Sequence, residues 1–130
     1  MSDKPILAGA SLGQIAINVS DIRRATTFYK DTLGLKFLFD AGTMTFFDCG
    51  GVRLMLGVAE KPEFDHPSSI LYFKVDGIKE HHERLTEVGV EFKGVPHLVA
   101  PMPDHDLWMA FFLDSEGNTM ALMSEEPKAE

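Results

Sequence analysis

The spacing of apolar positions along this chain changes several times, and the changes recur. Ala16-Ile17-Asn18-Val19 reads as a strand leading directly into a helix start. From Ile22 the spacing lengthens, with Ile22, Ala25, Phe28 and Tyr29 roughly three or four residues apart, the period of one apolar helix face. Ser20 or Asp21 can cap the orphan N–H groups of its first turn, and Gly34 supplies a left-handed stop. Short apolar runs follow, broken by turn chemistry at Asp40-Ala41-Gly42 and Cys49-Gly50-Gly51. The predicted order is β-α-β-β-β.

The same plan then returns. Ala16 to Ile22 lines up with Tyr72-Phe73-Lys74-Val75-Asp76-Gly77-Ile78 at an offset of 56 residues. Leu33-Gly34-Leu35-Lys36-Phe37 matches Val88-Gly89-Val90-Glu91-Phe92 at 55, Phe46-Phe47 matches Phe111-Phe112 at 65, and Leu54-Met55-Leu56 matches Met120-Ala121-Leu122 at 66. In the second copy Asp76 is the expected helix cap, Ile78, Leu85 and Val88 the apolar stripe, and Gly89 the stop, while Lys79, Glu80, Glu83 and Arg84 occupy the other face. Residues 1–130 therefore form a single domain of two modules, about 11–57 and about 70–125. The segment of about 58–69, with Pro62, Pro67 and several charges, reads as a connecting loop.

Composition narrows the classes. A 45% hydrophobic chain of 130 residues can bury a core without disulfides or metal. Twelve Lys plus Arg against twenty Asp plus Glu leave a net charge of −8, which argues against nucleic acid and against an anionic membrane surface as partners. Cys49 is the sole cysteine, which excludes an intrachain disulfide and fits a reducing compartment; the expected location is cytoplasmic. The N-terminus has no apolar run long enough for a signal segment, and Trp108 to Leu113, the longest apolar stretch elsewhere, is far too short to span a bilayer.

Two stretches carry a specific resemblance. Ile15-Ala16-Ile17-Asn18-Val19-Ser20-Asp21-Ile22, with Phe28-Tyr29 and Leu33-Gly34-Leu35, and the later Ala110-Phe111-Phe112-Leu113-Asp114-Ser115-Glu116-Gly117-Asn118 resemble the vicinal oxygen chelate superfamily of glyoxalases, bleomycin resistance proteins and dioxygenases. The resemblance covers about Leu12 to Glu125. It implies an α+β fold in which two βαβββ modules form curled mixed sheets around a cleft. It also implies, in metal-dependent members, one ligand at the start of the first strand and one on the last strand of each module. Carried across, those positions are Gln14 and Met55, then Ile70 and Ala121.

These residues are a poor metal set. Zinc, nickel or iron in such a site takes imidazole, carboxylate or thiolate donors at about 2 Å, whereas the four positions offer one amide oxygen. Alternation along the strand puts Arg53, Met55 and Gly57 on one face and Thr119, Ala121 and Met123 on another, again without a strong donor. No cofactor is expected, and a divalent metal is the alternative.

The expected site is then a cleft floored by sulfur and aromatic side chains, with Gln14, Phe46, Arg53, Met55, His97, Met102, His105, Trp108, Phe111 and Ala121 as ligand-binding candidates. Each Met and Phe among them also has an ordinary role in strand packing. The stretch Val95 to Leu107 is long for a hairpin turn and is expected to form a lid or rim. Within it His97 and His105, flanked by Asp104 and Asp106, are candidates for proton transfer together with Gln14; the histidines also read as solvated loop residues. A new metal site from His97, His105 and one Asp is conceivable. His66, His81 and His82 carry no motif, Cys49 has no cationic neighbour in sequence to activate it, and Gly50-Gly51 does not join a strand to a helix as a nucleotide loop would.

Two functions follow from this reading. One is metal-free binding of a small aromatic or amphipathic molecule in the inter-module cleft, as in bleomycin resistance proteins. The other is an enzyme of the superfamily, a glyoxalase- or epimerase-like lyase or isomerase or a dioxygenase, with an atypical metal or a histidine-based site. The resemblance further implies a homodimer.

Overall fold

In the computed structural model, which describes residues 6–128, Asp21 initiates the first helix. Its backbone is extended (φ −128°, ψ 103°), and its carboxylate accepts from the N–H groups of Arg23 and Arg24 at 3.1 Å each. Helix α1 (Ile22–Thr27) runs into a wider π-helical turn (Phe28–Thr32), closed where the Leu33 N–H donates to the Phe28 carbonyl at 2.8 Å. Gly34 then turns the chain at φ 76°. The helix buries Ala25 and Tyr29 completely.

The first module adds strands β1 (Gln14–Asn18), β2 (Lys36–Ala41), β3 (Met44–Cys49) and β4 (Val52–Gly57). They form a sheet in the order β1-β4-β3-β2, with β1 parallel to β4 and the other pairs antiparallel. Ile17, Phe47, Leu54 and Leu56 turn toward α1 and are buried, so the alternate residues Gln14, Ala16, Arg53 and Met55 occupy the opposite, open face.

The second module repeats the plan with β5 (Tyr72–Lys74), α2 (Ile78–Glu87), β6 (Glu91–Phe92), β7 (His97–Pro101), β8 (Asp106–Leu113) and β9 (Thr119–Glu126). Its sheet runs β5-β9-β8-β6, and β7 also pairs with β8. The one departure from β-α-β-β-β has a local cause: at Gly94 (φ 151°) the strand equivalent to β2 divides into β6 and β7. The Val95 to Leu107 stretch, expected as a lid or rim, is a hairpin in which β7 lies against β8 and the Met102 N–H donates to the His105 carbonyl at 2.8 Å across the turn, and its Val95 and His97 line a cavity.

The expected cap of α2 is also corrected. Gly77, in the left-handed region at φ 76°, holds the N-cap position, which leaves Asp76 one residue too early for its carboxylate to reach the first turn. Glu126, from β9, accepts from the Ile78 N–H at 3.4 Å instead. Ile78 is buried and Leu85 packs against the core, whereas Val88 lies past the helix end and is 59% exposed.

The modules meet through their helix sides in one continuous core containing Ile17, Tyr29, Phe47, Leu56, Ile78, Phe112 and Leu122. Polar contacts fix that packing. The buried Tyr29 hydroxyl donates to Asp114 Oδ2 at 2.7 Å, and Asp114 Oδ1 accepts from the N–H groups of Glu116 and Asn118 at 2.8 Å each. Burial, followed by the Asp114 charge, raises the tyrosine pKa, so Tyr29 remains a donor. Glu116, in the β8–β9 turn, accepts from Ser20 N, Asp21 N and the Arg24 guanidinium at the start of α1. The connecting segment, with a 3-10 turn at Pro62–Phe64, is tied to β1: Asn18 Nδ2 donates to the carbonyls of Phe64 and His66 at 2.6 and 2.7 Å. Among the described residues no helix is long and apolar enough to cross a membrane.

Candidate functional site

The open face of the first sheet gathers four of the predicted residues. Parallel pairing sets Gln14 beside Arg53 and Ala16 beside Met55, and β3 brings Phe46 beside Met55. Gln14 Oε1 accepts from Arg53 Nε at 2.8 Å, while Gln14 Nε2 points at the Met55 sulfur at 3.7 Å. The Arg53 guanidinium lies over the Phe46 ring, 5.4 Å from its centroid. Phe39 stacks on Phe46 with centroids 4.6 Å apart. Phe39 was not expected here: a register shift between Phe37 and Phe39 carries it out of the simple two-residue period and onto the face of Phe46. At the C-terminal ends of β1 and β4 this face opens into a cavity of about 290 Å³ lined by Ala16, Asn18, Met44, Met55, Gly57, Lys61, Phe64 and His66 among others.

The open face of the second sheet gathers three more. Ala121 pairs with both Tyr72 and Phe111, and His97 pairs with Met109. The Tyr72 and Phe111 rings meet edge to face at 6.1 Å, and the His97 ring lies 6.4 Å from that of Phe111. A cavity of about 340 Å³ here is lined by Lys93, Gly94, Val95, His97, Phe111 and Thr119. Lys93, whose Nζ donates to Thr119 Oγ1 at 3.3 Å, carried no motif that sequence reading could use.

The remaining candidates lie elsewhere. Trp108 is corrected: alternation on β8 puts it with Ala110 and Phe112 on the α2 side, where it packs against the core beneath Lys79, whose Nζ is 5.1 Å from the ring centroid. Met102 and His105 sit at the β7–β8 turn. His105 Nδ1 lies 2.7 Å from Asp104 Oδ1 and its Nε2 3.8 Å from Glu125 Oε2, and the hydrogen bond to His105 holds Asp104 below its ordinary carboxylate pKa. Asp106, the other flanking carboxylate, accepts from Lys128 Nζ at 2.9 Å. Among the described residues no three His, Cys, Asp or Glu side chains are grouped to hold an ion, so His97, His105 and an Asp do not assemble a new metal site.

The inter-module cleft is also redrawn. Three cavities draw their walls from both modules, of about 450, 440 and 530 Å³, and none of the ten predicted ligand residues lines them. The reason is topological. Within one chain the modules pack through their helix sides, so each open sheet face carries its own cavity.

Of the positions at which the resemblance implies metal ligands, Gln14 opens β1, Met55 is on β4 and Ala121 on β9, whereas Ile70 lies ahead of β5. Gln14 and Met55 are neighbours on the first sheet; Ala121 pairs with Tyr72 on the second, and Ile70 stands two residues before Tyr72. Their chemistry does not fit a divalent cation. The sole oxygen donor among them, on Gln14, already accepts from a guanidinium that would repel the ion, and a thioether, an isoleucine and an alanine complete the set. Cys49, on β3, is half-buried, and burial with the nearby Asp48 raises its thiol pKa, which favours the unreactive protonated form.

Comparison with known proteins agrees with this architecture. Residues 11–122 match the family model of the Glyoxalase/Bleomycin resistance protein/Dioxygenase superfamily. The chain is 34% identical over 122 residues to a glyoxylase-like domain-containing protein of Didymella fabae, covering 88% of this chain and 93% of the relative. A superfamily member from Sphaerobacter thermophilus superposes with a TM-score of 0.73 at 27% identity, over 89% of this chain and 98% of that one. A lactoylglutathione lyase from Agrobacterium tumefaciens shares the fold, with a TM-score of 0.69 at 19% identity over 88% and 93% of the two chains. A repeated βαβββ plan, module packing through a common core and a family match across nearly the whole chain converge: this protein belongs to the glyoxalase/bleomycin resistance protein/dioxygenase superfamily.

Proposed function

We propose that this chain is a metal-free binding protein of its superfamily, holding a small aromatic or amphipathic molecule on the open sheet faces. One observation carries the reading: the Gln14 amide oxygen, placed where a metal ligand belongs, is bonded to Arg53, and its amide nitrogen faces the sulfur of Met55. What such a face offers a guest is dispersion, aromatic contact and directed N–H groups. Metal analysis of chain purified without chelator tests it. Less than about 0.1 equivalent of zinc, nickel, manganese or iron is expected, and a stoichiometric amount of any of them overturns the reading.

A cytoplasmic homodimer belongs to the same proposal. Phe39 and Tyr72, on the two open faces, are 47% and 44% exposed in the single chain. Large aromatic side chains left open on both sheets suit a second copy that closes each face and completes the cavity. Light scattering is expected to give twice the chain mass of 14.4 kDa, and a species of 14.4 kDa alone excludes the dimer.

A further inference from the structure

We infer that the molecule bound on the open face of the first sheet is an aromatic carboxylate, its carboxylate gripped by Arg53. The inference rests on the preceding reading of that face as a ligand site and adds the sign and geometry of the ligand's charge. Arg53 is held from two directions. Its Nε donates to Gln14 Oε1 at 2.8 Å, and its guanidinium carbon lies over the Phe46 ring at 5.4 Å from the centroid, with Phe46 itself stacked on Phe39. An ordinary surface arginine loses several rotors when it binds an anion; here those rotors are already fixed.

The outer edge of the guanidinium is unused. Among the described residues neither Nη atom donates to any acceptor, and no carboxylate oxygen lies within 4.0 Å of the group. Asp48 is its cross-strand neighbour on β3, yet makes no ion pair with it. Scarcity of partners does not explain this, since the chain carries twenty acidic residues against twelve basic ones. A planar fork with two parallel N–H donors matches a carboxylate in bidentate fashion, which a point charge such as lysine does not.

Apolar surface for the rest of the ligand lies alongside. Met55 is two residues beyond Arg53 on the same face of β4, about 7 Å along the strand, and Met55 also lines the cavity of about 290 Å³ with Met44 and Phe64. That span is roughly one fused ring system, so an aryl acid can place its carboxylate on Arg53 and its ring over Met55 and into the cavity. The second module repeats the theme on its own face. Thr119 stands at the repeat position of Arg53, and Lys93 Nζ reaches its hydroxyl in the cavity that holds Phe111.

The test compares three probes of one shape on the full chain at pH 7 by calorimetry: 2-naphthoate, 2-naphthamide and 2-naphthylmethylammonium. The carboxylate is expected to bind about tenfold or more tightly than either of the others. Arg53→Met should remove that preference, so that carboxylate and amide bind within about twofold of each other, and Arg53→Lys should restore only part of it. Equal binding of carboxylate and amide by the unmodified chain overturns the inference, as does a carboxylate preference that survives in Arg53→Met; both outcomes leave the aromatic site standing. Failure of all three probes to bind removes the aromatic site and the inference together.

Discussion

Replacing Glu116 by glutamine tests whether a single carboxylate holds the start of the first helix to the second module. Glu116 receives Ser20 N at 3.0 Å, Ser20 Oγ at 2.9 Å, Asp21 N at 2.9 Å, Ser115 Oγ at 2.9 Å and Arg24 Nε at 2.7 Å. The Arg24 hydrogen bond, outweighing the cost of burial, lowers its pKa from 4.5 to about 2. Taken at face value that difference corresponds to a ceiling of about 3 kcal/mol. The Glu116 side chain is 1% exposed but its arginine partner is 55% exposed, and solvent screening reduces the net contribution to about 1–2 kcal/mol. Because the folded pKa lies below the unfolded one, this stability is present above about pH 4.5 and is lost as pH falls toward 2. Urea unfolding of the native chain and Glu116→Gln, followed by Trp108 fluorescence at pH 7, 5 and 3, measures it. At pH 7 the variant should be less stable by about 1–2 kcal/mol, with the gap narrowing from pH 5 to pH 3 as Glu116 of the unfolded chain takes up its proton while the folded carboxylate stays ionised. Coincident stabilities at pH 7, or a gap that stays constant down to pH 3, would refute the reasoning.

Other substitutions address neighbouring parts of the same argument. Tyr29→Phe removes the donor to the buried Asp114 but leaves that carboxylate its bonds from the Glu116 and Asn118 N–H groups and the Asn118 side chain. A loss of about 1–3 kcal/mol by urea unfolding is expected, and no measurable loss would show that the tyrosine does not join the modules. Leu56→Ala, at a fully buried position in the first sheet, should cost about 2–5 kcal/mol; a change under about 0.5 kcal/mol would contradict the common core. Cys49 should react with a maleimide more slowly than free cysteine at pH 7, because its thiol pKa is raised, and labelling as fast as the free amino acid would contradict that environment.

The sequence by itself determined the fold plan. The 56-residue offset between Ala16–Ile22 and Tyr72–Ile78, with its matching glycines at 34 and 89, specified two βαβββ modules because strand and helix periods and left-handed stops are local properties. The faces of β4 and β9 were legible for the same reason: alternation alone puts Arg53 with Met55 and Ala121 with Met123. Tertiary structure decided the rest. Whether Asp76 or Gly77 capped α2 depended on one residue of register, and whether 95–107 formed a lid or the β7 hairpin depended on β8 being available to pair. Trp108 fell on the helix side once the β8 register was set. The Gln14–Arg53 bond joins residues 39 apart in sequence, and Glu116 reaches Arg24 from 92 residues away. Contacts of that kind exist only when parallel strand pairing and helix-side packing bring distant segments together, so neither composition nor periodicity announces them. The positions without metal-binding chemistry could thus be read from the sequence, but the use of one of them to hold an arginine fork in place could not.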